Sequence, residues 1–161
     1  MFGAMEARYK LRIVLTATSS DSHTWNLVYL QLLLEEHGHE VINLGPCVPD
    51  DLLLHSVREH APDAVVFSSV NGHGFLDGER AIRTLRSEPD GAFTPAVIGG
   101  KLGILGTAQH EAHSAMLVKA GFDAVFSDGA LEPLISYLRD LSPVPAAASL
   151  HRSRRNAEVA A

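Results

Sequence analysis

The sequence predicts a doubly wound α/β fold, in which a five-stranded parallel sheet carries helices on both faces. Short runs rich in β-branched residues alternate along the chain with longer helical stretches, and this alternation favours a parallel sheet closed by right-handed crossovers. The strand candidates are mostly apolar rather than alternating, as expected for strands that are covered on both faces. The 161 residues suffice for one domain with a substantial core.

Five short apolar runs are predicted as strands. Each is rich in Val, Ile or Phe and has the length of a buried strand. Each is followed by a segment with helical character. The predicted strands are "RIVLTA" (12–17), "EVINL" (40–44), "DAVVFSSV" (63–70), "PAVIG" (95–99) and "DAVFS" (123–127).

The helices are predicted from apolar residues at helical spacing and from residues that start or stop helices. Pro49 and the two aspartates that follow it suit the N-terminus of a helix. Gly38 and Gly121 suit the C-terminal ends of two others. The predicted helices span residues 24–38, 49–61, 75–88, 107–121 and 130–141.

Composition and charge exclude several classes of function. Hydrophobic residues make up 46% and charged residues 20% of the chain, which are globular values. The net charge of −6 argues against general binding of nucleic acid or of an anionic membrane. The N-terminus lacks a signal-peptide pattern, and no apolar run approaches the roughly 20 residues of a membrane span. The single cysteine, Cys47, excludes an intrachain disulfide and fits a reducing cytoplasm.

The domain boundaries follow from the element pattern. We expect an N-terminal extension at 1–9 and the α/β domain at 10–141. The segment 142–161 is rich in Pro, Ala and Ser and carries a small basic cluster, so we expect a disordered tail. A tail that docks a partner is the alternative.

Three unusual loops follow predicted strands. They contain "TSSDSH" after the first strand, "SSVNGHG" after the third and "GGKLGILG" after the fourth. In the flavodoxin-like strand order 2-1-3-4-5 they converge on one rim, where open α/β sheets bind ligands. Their glycines permit positive φ and close approach of a large ligand. Neither a Walker loop nor a dinucleotide fingerprint is present, and plain tight turns remain the alternative.

His23 follows Asp21 by two residues in the first of these loops. The imidazole could bind a metal through one ring nitrogen while Asp21 accepts a hydrogen bond from the other. Alternatively, Asp21 only caps the next helix and His23 is an ordinary polar loop residue. No second histidine or cysteine stands nearby at ligand spacing, so a zinc site is not predicted. A metal that brings most of its own ligands would need only one from the protein.

These motifs resemble the cobalamin (B12)-binding domain family, and within it the small (sigma) subunits of glutamate mutase, also called methylaspartate mutase. The family signature is Asp-x-His-x-x-Gly, followed further along the chain by Ser-x-Leu and Gly-Gly. Here it reads "DSHTWN" from Asp21, "SSV" from Ser68, and "GG" at Gly99 and Gly100. The resemblance extends over about residues 10–140.

The resemblance implies an isomerase subunit that binds adenosylcobalamin and is inactive without a large catalytic (epsilon-type) barrel subunit. The implied assembly is a heterotetramer of two small and two large subunits, and the implied reaction interconverts L-glutamate and threo-3-methylaspartate. His23 would be the lower axial ligand to cobalt, in place of the cofactor's own dimethylbenzimidazole. The implied cofactor-binding residues are Ser20, Asp21, Ser22, His23, Thr24, Asn26, Ser68, Ser69, Val70, Gly99, Gly100, Lys101, Leu102 and Gly103.

Two positions depart from the signature. Val70 replaces the leucine, which is a small change in apolar volume. Asn26 replaces the glycine and puts a side chain at the start of a helix, beside the expected pocket for the nucleotide tail. Asparagine tolerates positive φ better than most residues, so the backbone would survive, but the tail could bind more weakly or take another route. Trp25, the only tryptophan, is expected to pack in the core or in a staple contact at the helix start, with the pocket or a partner surface as alternatives.

Three other interpretations stay open or are weaker. The chain could be a stand-alone cobalamin carrier or sensor, or a subunit of another B12-dependent enzyme. It could also be a scaffold that no longer binds cobalamin. A signalling receiver of similar topology would need an acidic cluster after the first strand and a lysine after the last, which the sequence does not supply.

Overall fold

The computed structural model describes residues 10–102, 107–127 and 131–141. Within them the chain alternates five strands and five helices. The expected extension at 1–9 and tail at 142–161 lie outside the described residues. The elements are β1 (Arg12–Ala17), α1 (Trp25–Glu36), β2 (Glu40–Asn43), α2 (Asp50–His60), β3 (Ala64–Ser69), α3 (Gly74–Ser87), β4 (Ala96–Gly100), α4 (Thr107–Ala120), β5 (Ala124–Ser127) and α5 (Leu131–Asp140).

The sheet is parallel and has the order β2-β1-β3-β4-β5, which confirms the predicted flavodoxin-like fold. The strand order reverses between β1 and β3, so the loops after these two strands leave the sheet side by side. In register, Ala17 pairs with Ser68, and Ser68 pairs with Gly99. The motifs singled out in the sequence therefore lie next to one another.

Two apolar layers sandwich the sheet. On one face, α1 and α5 pack through residues such as Leu27, Leu34 and Leu138. On the other face, α2, α3 and α4 form the second layer, where Phe67 meets Phe122 edge to face with ring centroids 5.1 Å apart. All six residues of β3 are buried, as expected for a strand at the centre of a sheet.

The helix ends follow the predicted signals. Gly38, with φ of +91°, stands just beyond the end of α1, and Gly121, with φ of +138°, stands just beyond α4. Pro49 is the N-cap residue of α2, with Asp50 and Asp51 in its first turn. No helix among the described residues is long and apolar enough to cross a bilayer.

Candidate functional site

The loop between β1 and α1 places His23 at the carboxyl edge of the sheet. Its Nδ1 lies 2.8 Å from Oδ1 of Asp21. The side chain of His23 is 57% exposed, whereas that of Asp21 is 1% exposed. A buried carboxylate thus holds the imidazole on one side, and the other side faces solvent.

Asp21 also joins this loop to the loop after β3. Its Oδ1 accepts the backbone N–H of His23 at 3.0 Å, and its Oδ2 accepts those of Val70 at 2.6 Å and Asn71 at 3.2 Å. Burial by itself would raise the pKa of Asp21. The hydrogen bonds from Val70, His23 and Asn71 outweigh burial and lower the pKa below its usual 3.8. The alternative that Asp21 caps α1 is wrong, because its oxygens face these other donors and Thr24 occupies the N-cap position.

This pair has the chemistry of a histidine ligand with a carboxylate behind it. A carboxylate that accepts Nδ1–H fixes the tautomer with a free lone pair on Nε2 and makes that nitrogen more basic. Among the described residues, Nε2 of His23 has no hydrogen-bond partner, and no three His, Cys, Asp or Glu residues are grouped to hold a metal ion. The site therefore fits a metal that brings its other ligands with it.

A polar network ties the His23 loop to two helices. The Ser20 hydroxyl donates to Asp77 of α3, and Nδ2 of Asn71 donates to Ser20 at 3.1 Å. Arg80 of α3 lies 3.3 Å from Asp77 and 3.3 Å from Asp50 of α2. The loop that carries His23 is thus braced from the opposite side of the sheet to α1.

A groove of about 180 Å³ lies between α1 and α5 over the carboxyl ends of β3 and β4. Its walls include Tyr29 and Leu30 of α1 and Leu131 and Leu134 of α5. Most of the lining is apolar. Val70 belongs to this lining and also donates its N–H to Asp21, so the groove adjoins the His23 loop.

The floor of the groove is open because β4 ends in glycine. Gly99 belongs to the lining of the groove, so a larger side chain at this position would take up space in the groove. A Cβ on Gly99 would already be in close contact with the carbonyl oxygen of Phe126, at 3.3 Å. Glycine is needed at position 100 for a different reason, which is the path of the backbone. The φ of Gly100 is +106°, and a Cβ there would lie 2.1 Å from the carbonyl oxygen of Ser69, which the strand pairing forbids. Gly99 therefore shapes the groove, and Gly100 allows β4 to approach β3.

Asn26 enters this groove from the first turn of α1. Its Nδ2 donates to Oγ of Ser68 at 2.6 Å. Its Oδ1 is buried and has no hydrogen-bond partner among the described residues. Asn26 lies within α1 and has no positive φ, so the tolerance of asparagine for positive φ is not needed at this position.

The structure brings some of the predicted site residues together and separates others. The groove contacts Asn26, Ser68, Val70, Gly99 and Gly100. Five others lie along the rim, and of these Ser22, His23, Thr24 and Lys101 are exposed, while Ser20 bonds to Asp77 and Asn71. Ser69 and Leu102 are buried on the opposite face of the sheet, and Gly103 lies outside the described residues.

Ser69 supports the rim rather than the groove. Its hydroxyl lies 3.4 Å from that of Thr18 and donates to Oδ1 of Asn71 at 3.4 Å. Leu102 packs in the layer formed by α2, α3 and α4, and its carbonyl accepts the N–H of Phe75 at 3.0 Å. Both residues hold the loops that frame the site.

The expectation that Trp25 packs in the core is wrong. Its side chain is 85% exposed, and it does not line the groove. It stands two residues after His23, on the outer face of α1. The partner-surface alternative for this residue remains a prediction.

Sequence reasoning missed the walls of the groove. Tyr29 and Leu30 follow Asn26 at helical spacing, so all three face the same side of α1. That spacing was a usable signal once Asn26 had been placed beside a pocket. Leu131 and Leu134 of α5 had no such local signal, because only the fold brings α5 beside α1.

Comparisons with known proteins match the chain to one family. The sequence model of the B12-binding domain matches residues 11–130. Glutamate mutase sigma subunit 1 of Haloarcula marismortui is 33% identical over 125 residues, covering 76% of this chain and 80% of that protein.

Solved structures share the fold. A cobalamin-binding protein from Desulfitobacterium hafniense has a TM-score of 0.64 at 23% identity, covering 81% of this chain and 58% of that longer chain. A two-component response regulator from Aurantimonas has a TM-score of 0.60 at 18% identity, covering 91% of this chain and 99% of its own. At such identities the likeness concerns the architecture alone.

Proposed function

The chain belongs to the B12-binding domain family, and from that premise we propose that it is the cobalamin-binding subunit of an adenosylcobalamin-dependent carbon-skeleton mutase. Glutamate mutase is the proposed enzyme, since the sigma subunit of Haloarcula marismortui is a relative over most of both chains. The proposed site of action is the cytoplasm, which suits a chain with one free, exposed cysteine, Cys47.

One observation carries the proposal: His23 combines an exposed ring with a buried carboxylate behind it. A corrinoid brings cobalt with most of its ligands in place, so one protein imidazole completes the coordination. His23 would offer Nε2 to the cobalt, and Asp21 would hold the ring and keep Nδ1 protonated.

The groove supports a second part of the proposal, which is that the protein binds the nucleotide tail of the cofactor. A histidine can replace the cofactor's own base only if the protein accommodates the displaced nucleotide tail. The apolar groove adjoins the His23 loop through Val70 and has a glycine, Gly99, in its floor. We propose that the base of the tail occupies this groove, against Ser68.

The proposed division of labour follows from what the described residues offer. When bound, adenosylcobalamin supplies the organic radical that starts the rearrangement of L-glutamate to threo-3-methylaspartate. This chain would bind and orient the cofactor. The substrate-binding residues would come from a large catalytic subunit, and we propose an assembly of two small and two large subunits.

The binding step is tested by the visible spectrum of cobalamin mixed with the protein. We expect a shift to the base-off, histidine-coordinated form with wild-type protein and no such shift with His23→Ala. His73→Ala, which removes another exposed rim histidine, is the matched control and should behave like wild type. A wild-type protein that leaves the spectrum unchanged would overturn the proposal.

The enzymatic step is tested by reconstitution with a large glutamate mutase subunit. We expect turnover of L-glutamate only when both chains and adenosylcobalamin are present. Binding of cobalamin without turnover would contradict the mutase assignment and favour the carrier or sensor alternative.

A further inference from the structure

Asn26 gives an otherwise apolar groove a polar pair. Its Nδ2 donates to Oγ of Ser68 at 2.6 Å, so the Ser68 hydroxyl accepts on that side and keeps its own proton to donate elsewhere. Its Oδ1 is a buried acceptor with no hydrogen-bond partner among the described residues. A donor on Ser68 and an acceptor on Asn26 thus stand side by side in the groove.

An unpaired buried acceptor calls for a ligand that donates. Natural proteins pair nearly all buried polar atoms, and an atom left unpaired is costly. Apart from Ser68 and the hydroxyl of Tyr29, the side chains that line the rest of the groove are apolar, and no described residue donates to Oδ1. The natural partner is therefore the group that fills the groove.

We propose that Asn26 makes the groove selective for a corrinoid whose lower base presents an N–H donor beside a ring nitrogen. This inference rests on the proposed function, because it concerns the base that the groove receives. Adenine is such a base, since its amino group donates next to a ring nitrogen that accepts. The amino group would donate to Oδ1 of Asn26, and the ring nitrogen would accept from the Ser68 hydroxyl. Dimethylbenzimidazole has a ring nitrogen but no N–H donor, so it would satisfy Ser68 and leave Oδ1 of Asn26 unpaired.

The size of the effect follows from this mismatch. A site built to hydrogen-bond a ligand group discriminates strongly against an analogue that lacks the group, because the buried partner stays unpaired. We expect wild-type protein to favour the adenine corrinoid over cobalamin by about tenfold more than a variant without the polar pair does.

The experiment compares two probes on three proteins. The probes are cobalamin and the corrinoid that carries adenine as its lower base. The proteins are wild type, Asn26→Leu, which keeps the side-chain size, and Asn26→Gly, which removes the side chain. Dissociation constants are measured from the visible spectrum and from quenching of Trp25 fluorescence, and thermal unfolding confirms that each variant folds.

We expect the preference for the adenine corrinoid to be lost in both variants. An equal ratio of dissociation constants in wild type and variants, with both corrinoids bound, would overturn the selectivity and leave the proposed function intact. If neither corrinoid changes the spectrum of wild-type protein, the proposed function and this inference fail together.

Discussion

Asp21 and His23 are joined twice by one oxygen atom, because Oδ1 of Asp21 accepts the backbone N–H of His23 at 3.0 Å and lies 2.8 Å from its Nδ1. The other oxygen accepts the N–H of Val70 from the neighbouring loop. A single buried carboxylate therefore sets both the path of the loop and the direction of the ring. This arrangement leads to predictions about stability as well as ligand binding.

Asp21→Ala should destabilise the protein by about 2–4 kcal/mol, because it leaves the part-buried N–H groups of Val70 and Asn71 without their acceptor. Urea denaturation measures the free energy of unfolding. Glu36→Ala, at an exposed position near the end of α1, is the control and should change it by less than about 0.5 kcal/mol. Equal effects of the two substitutions would show that Asp21 is not a structural anchor.

Asp21 also predicts acid sensitivity. Although burial opposes it, the hydrogen bonds to Asp21 lower its pKa below 3.8 in the folded protein. Its contribution to stability is thus present above about pH 3.8 and is lost as the pH falls through the lowered folded value. Wild-type protein should lose more stability than Asp21→Asn when the pH is lowered from about 5 to 2.5, as measured by urea denaturation. Parallel losses in the two proteins would argue against an ionised Asp21 in the fold.

His39 predicts a second, milder pH dependence. Burial and, to a lesser extent, His37 lower its pKa below 6.5, and the N–H of Leu11 donates to its Nδ1 at 3.3 Å. The neutral ring therefore stabilises the fold above about pH 6.5, and this stability is lost as the pH falls through the lowered folded pKa. The free energy of unfolding of wild-type protein should decline between pH 7 and 5, and that of His39→Gln should decline less. His73→Gln, at an exposed position, should follow wild type, and a decline unchanged in His39→Gln would refute the assignment.

The two neighbouring glycines of β4 should respond differently to substitution. Gly99→Val should fill the groove and weaken cobalamin binding by about tenfold or more. The cost in stability should be modest, because the tight contact of its Cβ with the carbonyl oxygen of Phe126, at 3.3 Å, requires only a small shift of the neighbouring strand. Gly100→Ala should instead destabilise the fold, because its Cβ would lie 2.1 Å from the Ser69 carbonyl. Fluorescence quenching and thermal unfolding, measured on both variants, separate the two effects. A Gly99→Val protein that folds and binds cobalamin like wild type would exclude the groove as the tail pocket.

The fold could be predicted because its signals are local. Apolar runs marked the strands, and residues such as Gly38 and Gly121 marked the helix ends within one or two positions. The pairing of Asp21 with His23 could also be predicted, because the two residues are two positions apart and their side chains suit a histidine ligand with a carboxylate behind it.

What the sequence left undetermined depends on tertiary packing. The hydrogen bond between Asn26 and Ser68 joins residues 42 positions apart and needs both the parallel register and the rotation of α1. Trp25 was placed wrongly because α1 is apolar around most of its surface, with Leu27 buried and Leu32 exposed. Periodicity alone therefore could not tell which face of this helix meets the sheet.

The most direct test of the central claim is the electron paramagnetic resonance spectrum of cob(II)alamin bound to protein labelled with ¹⁵N-histidine. If His23 is the lower ligand of cobalt, the nitrogen splitting should change from triplets in unlabelled protein to doublets in labelled protein. Labelled His73→Ala should keep the doublets, and labelled His23→Ala should lose them. Triplets that persist in labelled wild-type protein would show that the cofactor's own base still binds the cobalt, and would contradict the account.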